Sequence, residues 1–328
     1  MLSRLLLPAC AVILLNACAS STSPLASNAK VTDHGDVGAT EGPAYHDGYL
    51  YFTDGGPINR MNWATGKAST FILRTGESNG LMFDPQGRLI ACESSNRRVV
   101  RYEKDGHKTI LAEWFHGKRF NSPNDVTMDS QGRIYFTDPR YGPIRRDMEI
   151  HDASGRALEG VYRIDAPGQV SLVLSHDSAE RPNGILISPH DQYLYICDNN
   201  NNNHGGSRKL LRFAMNKDGT VQTNTRTVIF DWKNGRGPDG MKMDRAGRLY
   251  VAAGVNEKNE YEVNDFKAGC YILSPSGKLI TFIPTGPDEC CNCAFAGDDA
   301  KTLCVTSGKH LWTVPVNTAG WQAGTKTP

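Results

Sequence analysis

The sequence predicts an all-β fold, a six-bladed β-propeller, and two observations support this prediction. One template occurs six times: an alternating apolar strand, a turn of Asp, Pro or Gly type, and a second strand that begins Leu-Tyr or its equivalent. The equivalent positions in the second strands are separated by 39, 45, 60, 55 and 54 residues, and they are Leu50, Leu89, Ile134, Leu194, Leu249 and Leu303. Repetition at this spacing, with several short strands per copy, is typical of a β-propeller.

The segments between the copies supply the outer strands of each blade. RRVVRYEKDGHKTILAE (97–113), GVYRIDAPGQVSLVLS (160–175) and KLLRFAMNKDGTVQTNTRTVIF (209–230) are hairpins with Asp-Gly or Pro-Gly turns. No stretch shows a sustained helical period with capping signals. A linear solenoid would need atypical capping repeats, which the sequence lacks. We therefore expect a circular arrangement in which the first blade closes on the last.

The N-terminal residues have the order of a secretory signal. Arg4 is followed by an apolar run too short to span a bilayer comfortably and by small residues before Cys18. Leu-Asn-Ala-Cys (15–18) resembles the lipobox of bacterial lipoproteins, in which the cysteine becomes the lipidated first residue. This predicts a leader at 1–17, a lipidated cysteine and flexible Ser/Ala tether at 18–34, and the propeller at 35–328. We expect an outer-membrane lipoprotein facing the periplasm; a soluble periplasmic protein is the alternative.

The charge balance limits the classes of partner. Lys plus Arg number 36 and Asp plus Glu number 35, so no basic field exists to hold nucleic acid. After the leader, no segment is long and apolar enough to cross a membrane, so we expect membrane contact through the N-terminal lipid alone. No feature of the sequence indicates a protein partner.

The cysteines give a weaker signal. The chain has nine, of which seven follow Cys18, so at least one thiol is free in an exported protein. Cys290, Cys291 and Cys293 lack the two-residue spacing and the second ligand pair of a zinc site. We expect structural or incidental roles for them, and their disulfide pairing stays open.

A ring of polar residues is predicted where the innermost strands begin, because those strands converge on one channel. Carboxylates at Glu41 and Asp239 and carboxamides at Asn124 and Asn183 are hard oxygen donors, and no thiolate or imidazole is aligned with them. Such donors suit calcium, magnesium or manganese better than zinc or copper. In any single copy, Asn-Gly or Asp-Gly also serves simply as a turn. The aligned pairs are Glu41-Gly42, Asn79-Gly80, Asn124-Asp125, Asn183-Gly184, Asp239-Gly240 and Asn292-Cys293.

These motifs resemble a known family. EGPAYHDGYLYFTD, RFNSPNDVTMDSQGRIYFTDPRYG, RPNGILISPHDQYLYICD, GPDGMKMDRAGRLYVA and NCAFAGDDAKTLCVTS are similar to the senescence-marker-protein, gluconolactonase and luciferin-regenerating-enzyme family from about residue 35 to 315. The resemblance implies one catalytic divalent cation in the channel, usually Ca²⁺, with Mg²⁺, Mn²⁺ or Zn²⁺ as alternatives. It matches Glu41, Asn183 and Asp239 to metal ligands and Asn124 to an asparagine that binds metal or substrate. Asp239 also matches the general acid/base.

Two features bear on the substrate. Family members often carry Asp-Thr after the fourth-repeat strand, but here Asp198 is followed by Asn199–Asn203 and His204. We expect this loop near the channel mouth, with a flexible surface loop as the alternative. Arg119, five residues before Asn124, is a candidate contact for an anionic substrate, with a surface arginine as the alternative.

The function indicated is metal-dependent hydrolysis of a small-molecule lactone, a sugar lactone by resemblance. Two alternatives stay open: a phosphotriester hydrolase of the diisopropylfluorophosphatase type, and a non-enzymatic binding propeller with a structural calcium. The sequence shows no Ser-His-Asp arrangement and no nucleophile elbow, so we do not expect a serine esterase.

Overall fold

The six predicted repeats form six four-stranded antiparallel sheets, which confirms the six-bladed propeller. We describe a computed structural model that covers residues 23–141, 150–152, 154–286 and 288–324. Within these residues no helix is both long and apolar enough to cross a membrane.

Each blade begins with its innermost strand and proceeds outward. The first blade comprises β2 (Glu41–His46), β3 (Tyr49–Thr53), β4 (Ile58–Asn62) and β5 (Ala68–Ile72). The second comprises β6 (Ser78–Phe83), β7 (Leu89–Glu93), β8 (Arg98–Tyr102) and β9 (Lys108–Ala112). A short hairpin follows, β10 (Trp114–Phe115) and β11 (Lys118–Arg119), and leads into β12 (Val126–Met128), β13 (Ile134–Asp138), β14 (Gly160–Ala166) and β15 (Gln169–Leu174) of the third blade.

The remaining blades repeat this order. The fourth comprises β16 (Pro182–Ile187), β17 (Tyr193–Asn199), β18 (Arg208–Met215) and β19 (Val221–Asp231), with a single 3₁₀ turn at Pro189–Asp191. The fifth comprises β20 (Pro238–Met243), β21 (Leu249–Ala253), β22 (Gly269–Leu273) and β23 (Leu279–Pro284). The sixth comprises β24 (Cys290–Ala296), β25 (Thr302–Ser307) and β26 (His310–Pro315), and its outer strand is β1 (Thr32–Asp36).

The circle closes as expected, and it does so through an N-terminal strand that the sequence did not predict. β1 pairs antiparallel with β26, and Leu25 forms a further bridge to Val316. Leu25 and Ala29 also pack on the apolar core shared by the fifth and sixth blades. Ordered contacts therefore begin before the predicted boundary at residue 35, within the segment expected to be a tether. The leader and Cys18 lie outside the described residues, and their processing stays a prediction.

Successive inner strands are bonded to one another around the channel. Gly80 N–H donates to Asn124 O at 2.7 Å, which joins the second and third blades. The hydroxyl of Thr53 donates to Asn79 O at 3.1 Å, and that of Thr137 donates to Asn183 O at 2.6 Å. These bonds hold the first residues of the inner strands at one level around a common axis.

At the opposite end of the inner strands, three blades share a turn of the form Asp-x-x-Gly-Arg. In the fifth blade, Asp244 Oδ1 accepts the N–H groups of Ala246 and Arg248 at 2.9 and 3.0 Å. Its Oδ2 accepts Arg248 Nε at 2.6 Å and the Tyr250 hydroxyl at 3.1 Å. The same aspartate–arginine pair recurs at Asp84 and Asp129. The turn thus fixes the spacing between the first two strands of each of these blades.

Candidate metal centre

Irregular pairing at the start of the inner strands turns side chains toward the channel. In five blades the register of the first strand against the second shifts near its first residues. A bulge adds a residue to one strand and re-aims its side chain. Glu41, Asn183 and Asp239 stand at these shifts, and Asn124 precedes β12 of the third blade, which has none. Their side chains meet in the channel.

The four residues predicted as metal ligands are brought together. Glu41, Asn124, Asn183 and Asp239 all line one cavity of about 530 Å³ at this end of the channel. Glu41 and Asn124 are 83 residues apart in the chain, and Asn183 and Asp239 are 56 apart. The propeller's circular order, rather than any local motif, therefore makes the site.

Arg119 does not line this cavity. It lies in β11, where its guanidinium donates to Asn96 O, forms an ion pair with Glu113 at 3.3 Å and stacks over the Trp114 ring with 5.0 Å between Cζ and the ring centroid. Arg119 is half-buried and ties the short hairpin to the second blade, and a contact with an anionic substrate stays a prediction.

The sixth ring position differs by one residue from the sequence alignment. The backbone N–H of Asp125 donates to a threonine hydroxyl on the neighbouring strand at 3.1 Å, and its Oδ1 accepts the next N–H at 2.9 Å. Asn292 makes the same two bonds at 3.1 and 2.8 Å. Asn292 therefore corresponds to Asp125, and Cys291 corresponds to Asn124. A thiol stands at the ring level where the alignment placed a carboxamide.

Among the described residues, one close cluster of acidic and thiol side chains could bind a metal ion. It consists of Glu41, Asp239 and Cys291. Their ligand atoms all lie within 4.8 Å of one another. Asn292 supports Glu41 from the next level of the channel, since its Nδ2 donates to Glu41 Oε2 at 3.2 Å. Gly42 N–H donates to the same oxygen at 3.3 Å, so the Glu41 carboxylate is oriented by two donors.

The glycines after the ring residues permit close approach of the inner strands. A Cβ on Gly184 would lie 2.2 Å from Asp239 O, and one on Gly240 would lie 2.1 Å from the Asn292 carboxamide carbon. These contacts are shorter than real Cβ atoms tolerate, so any side chain would push the strands apart. Asn-Gly and Asp-Gly act here as packing motifs at the channel rather than as simple turns.

The two ring carboxylates are costly to ionise together. Burial raises the pKa of Asp239 to about 7; Arg236 lowers it, and the charges of Glu289 and Asp125 raise it. Burial also raises the pKa of Glu41 well above its usual value, and Asp239 contributes in the same direction. A divalent cation between them would remove this penalty by pairing with both negative charges.

Two oxygens of the ring have no protein partner among the described residues. Asp239 Oδ1 and Asn124 Oδ1 are buried without a hydrogen bond, and their residues are 4% and 6% exposed. Buried polar atoms are seldom left unpaired, because the desolvation cost is not recovered. Together with Glu41 and Asn183, they form a hard-oxygen donor set that fits a divalent cation.

Sequence reasoning missed several residues of the cavity because they are not at the ring register. Arg236 is buried and binds both oxygens of Glu289 at 2.9 and 2.7 Å, with Asp239 Oδ2 at 3.7 Å. Tyr141 accepts Asn183 Nδ2 at 3.3 Å and donates to Asn199 O at 3.1 Å. Arg236 could have been identified from the sequence because it lies three residues before Asp239. Nothing in the sequence marked Tyr141 as a cavity residue.

The asparagine run reaches the cavity, as one of its two interpretations predicted. Asn201 and Asn202 line the cavity, and Asn199 is fully buried at the end of β17. Asn200 Nδ2 donates to Glu180 Oε2 at 2.9 Å, which anchors the loop to the fourth blade. This loop therefore forms part of the cavity wall.

The chain is similar to one family of known proteins. The family model described as "SMP-30/Gluconolactonase/LRE-like region" matches residues 39–309. A gluconolactonase of Zymomonas mobilis is 28% identical over 309 residues, which is 87% of this chain and 80% of the relative. A 6-deoxy-6-sulfogluconolactonase of Pseudomonas putida is 26% identical over 80% of this chain and 79% of its own. The solved gluconolactonase structure from Xanthomonas campestris superposes with a TM-score of 0.72 at 28% identity, covering 90% of this chain and 92% of the other.

Proposed function

This chain belongs to the SMP-30/gluconolactonase/LRE-like family, and on that premise we propose that it is a metal-dependent hydrolase that opens the ring of a sugar lactone. The observation that carries the proposal is the channel ring itself. The ring gathers Glu41, Asn124, Asn183 and Asp239 around one cavity. Two of its buried oxygens, Asn124 Oδ1 and Asp239 Oδ1, have no hydrogen-bond partner among the described residues. The lactonase names of the relatives support the same reaction class.

The metal proposed for the ring is calcium, held by Glu41, Asn124, Asn183 and Asp239. When bound, a divalent cation supplies Lewis acidity toward a carbonyl oxygen and a positive field for developing negative charge. The oxygen donors favour calcium, with magnesium or manganese as alternatives. Zinc would be favoured by a sulfur ligand, which Cys291 would supply.

Asp239 is the proposed general base. Burial raises the pKa of Asp239 to about 7 in the absence of a cation, and a cation held by the ring would lower that pKa and keep the carboxylate ionised and able to accept a proton. Its Oδ1 has no protein partner among the described residues and is therefore available both to the cation and to a water molecule. Arg236, 3.7 Å from Oδ2, holds the carboxylate in place through that other oxygen.

The cavity wall suits a polyol. Ser94, Ser122 and Asn79 line it. Both serine hydroxyls donate to backbone carbonyls, and Ser122 Oγ also accepts the Tyr141 N–H at 3.3 Å, so Ser94 Oγ is the better placed of the two to accept a substrate hydroxyl. Asn201 and Asn202 add carboxamides at the mouth. A volume of about 530 Å³ is within the range of small-molecule sites and accommodates a monosaccharide lactone.

Turnover of a lactone panel with and without chelator tests the proposal. The purified protein should open aldonolactones in the presence of Ca²⁺, lose the activity in EDTA and recover it when Ca²⁺ is restored. Hydrolysis of phosphotriesters without lactones would favour the phosphotriesterase alternative. Calcium binding without any turnover would leave the non-enzymatic binding propeller.

Localisation is part of the proposal. The Leu-Asn-Ala-Cys sequence before the tether leads us to propose that residues 1–17 are removed and that Cys18 carries lipid at the outer membrane. Mass spectrometry of the membrane fraction should find an acylated N-terminal peptide. An unmodified Cys18, or cleavage at another bond, would favour the soluble periplasmic alternative.

A further inference from the structure

Cys291 makes this ring different from an all-oxygen site. It corresponds to Asn124 in the sixth blade, at the register shift between Cys290 and Asn292 in β24. The bulge turns its side chain into the cavity, where it is half-buried. The other free cysteines of the described chain are buried, so Cys291 is distinguished by both position and access.

The thiol stands among groups that already point to a cation. Its Sγ lies within 4.8 Å of carboxylate oxygens of both Glu41 and Asp239. Asp239 is 4% exposed, and its Oδ1 has no partner among the described residues. The thiol donates a hydrogen bond from Sγ to Glu289 O at 3.4 Å, and a thiol is a weak donor. Little therefore holds the thiol away from an ion placed between the two carboxylates.

We propose that Cys291 is a metal ligand that makes the site a mixed oxygen–thiolate centre, able to bind thiophilic divalent ions such as Zn²⁺, Co²⁺ and Cd²⁺ tightly. Thiolates select softer ions, whereas carboxylates and carboxamides suit calcium. Zinc bonds are about 2.3 Å to sulfur and about 2.0–2.2 Å to carboxylate oxygen. Small side-chain rotations bring three ligand atoms within 4.8 Å to one such ion. As the metal–sulfur bond forms, the thiol proton passes to solvent, so the ligand is the thiolate.

A sulfur ligand at Cys291 would affect which metal the ring of the proposed function holds. Calcium and a thiophilic ion would compete for Glu41 and Asp239, and the softer ion would gain one ligand that calcium scarcely uses. Cys291 would then set which metal occupies the ring when both are present. The proposal rests on the ring of the proposed function being a metal site, but not on that metal supporting lactone hydrolysis.

Direct metal binding tests the proposal without any measurement of turnover. The full-length mature protein, first freed of metal by chelator, is titrated with Co²⁺ and with Cd²⁺ while near-ultraviolet absorption is recorded. A sulfur-to-metal charge-transfer band should grow to one equivalent. Cys291→Ser, which keeps the size and replaces sulfur by oxygen, should abolish the band. Cys304→Ala removes a buried thiol of the same blade and should leave the band intact.

Affinities complete the test. Cys291→Ser should weaken Cd²⁺ and Zn²⁺ binding by at least about tenfold, the size of effect that even an outer-shell substitution produces, and should change Ca²⁺ binding far less. An unchanged Cd²⁺ affinity in Cys291→Ser, or a band that persists in it, would overturn the proposal. A wild-type band in a protein that turns over no lactone would sustain this inference while the proposed function failed.

Discussion

At the residue scale, five blades each contribute one side chain to the ring at the channel: Glu41, Asn124, Asn183, Asp239 and Cys291. The repeat alignment identified Glu41, Asn124, Asn183 and Asp239, because equivalent positions of a propeller meet at one level whatever their distance in sequence. Cys291 was missed because the polar Asn292 next to it fits the aligned pattern better. The register of β24 against β25 places Cys291 at the ring position, and the sequence of one strand does not reveal that register.

Asn124 is expected to act through binding rather than proton transfer. Its unpaired Oδ1 lies in the cavity, so Asn124→Ala removes one donor to metal or substrate and leaves Asp239 in place. We expect a raised KM or a raised calcium requirement, partly restored by excess Ca²⁺, with a smaller loss in kcat. Initial rates over a grid of lactone and Ca²⁺ concentrations measure both.

Arg119→Ala is the matched comparison for that variant. Its guanidinium is engaged by Glu113 and Trp114 outside the cavity, so KM should stay within about twofold, as for most surface substitutions. If the KM of Arg119→Ala for an anionic lactone rises tenfold or more, Arg119 contacts the substrate, as the sequence suggested.

At the element scale, the turns and hairpins of the blades carry much of the local stability. The Asp-x-x-Gly-Arg turns were predictable as turns, because Gly-Arg after Asp recurs before three second strands. Their ion pairs were not, since they depend on side-chain geometry. In each turn the buried aspartate accepts two backbone N–H groups and the arginine Nε, so these sites are sensitive to substitution.

Asp244→Ala should destabilise the protein strongly. It removes the carboxylate that accepts Arg248 Nε, a side chain in a residue 5% exposed, and the same oxygen's bond from the Tyr250 hydroxyl. Breaking a buried pair by removing one partner costs about 3–5 kcal/mol. Urea denaturation measures the loss. Asp105→Ala, in an exposed hairpin turn, should change the free energy of unfolding by about 0.5 kcal/mol or less; equal effects of the two variants would contradict the assignment.

Glu93 at the end of β7 should make stability depend on pH in the acid range. Burial raises the pKa of Glu93, but hydrogen bonds from Lys108, Asn96 and Arg98 outweigh burial, so its pKa is lowered. Because the folded pKa is below the ordinary value of 4.5, this stabilisation is present above that value and is lost as pH falls through the folded pKa.

In Glu93→Gln, the free energy of unfolding should therefore depend less on pH in the acid range. The variant is expected to be less stable near neutral pH, since it leaves two cations without a carboxylate, but to lose less further stability on acidification. Urea denaturation of both proteins at a series of pH values from neutral downward measures the slopes. Parallel slopes would show that Glu93 is not the group responsible.

At the scale of the whole molecule, the sequence repeat was enough to predict nearly all of the fold but only part of the site. Six templates with turn residues between them fixed the number of blades and the place of the channel. The loops could not be assigned in the same way: Tyr141 and Arg236 enter the cavity from segments outside the template. The closing strand β1 was not predicted, because Thr32–Asp36 carries no apolar alternation and its first three residues lie within the expected tether.

Removing β1 should weaken the closed ring. A protein that begins at residue 37 lacks the partner of β26 and the Leu25 bridge, whereas one that begins at residue 23 retains both. Each lost hydrogen bond is worth about 1 kcal/mol, so we expect Tm to fall by about 5 °C or more. Calorimetry of the two proteins measures this; equal Tm values would mean that β1 does not close the propeller.

The central claim, that the ring binds a divalent cation and acts in catalysis through Asp239, is tested most directly by the kcat of Asp239→Asn at saturating Ca²⁺. The substitution keeps an oxygen donor in the ring but removes the base, so lactone turnover should fall by at least about a hundredfold, the loss typical of a general base. Circular dichroism should remain that of the wild type, because the β20 backbone is held by its neighbours. A kcat close to the wild-type value at saturating Ca²⁺ would contradict the account and leave the ring as a structural metal site.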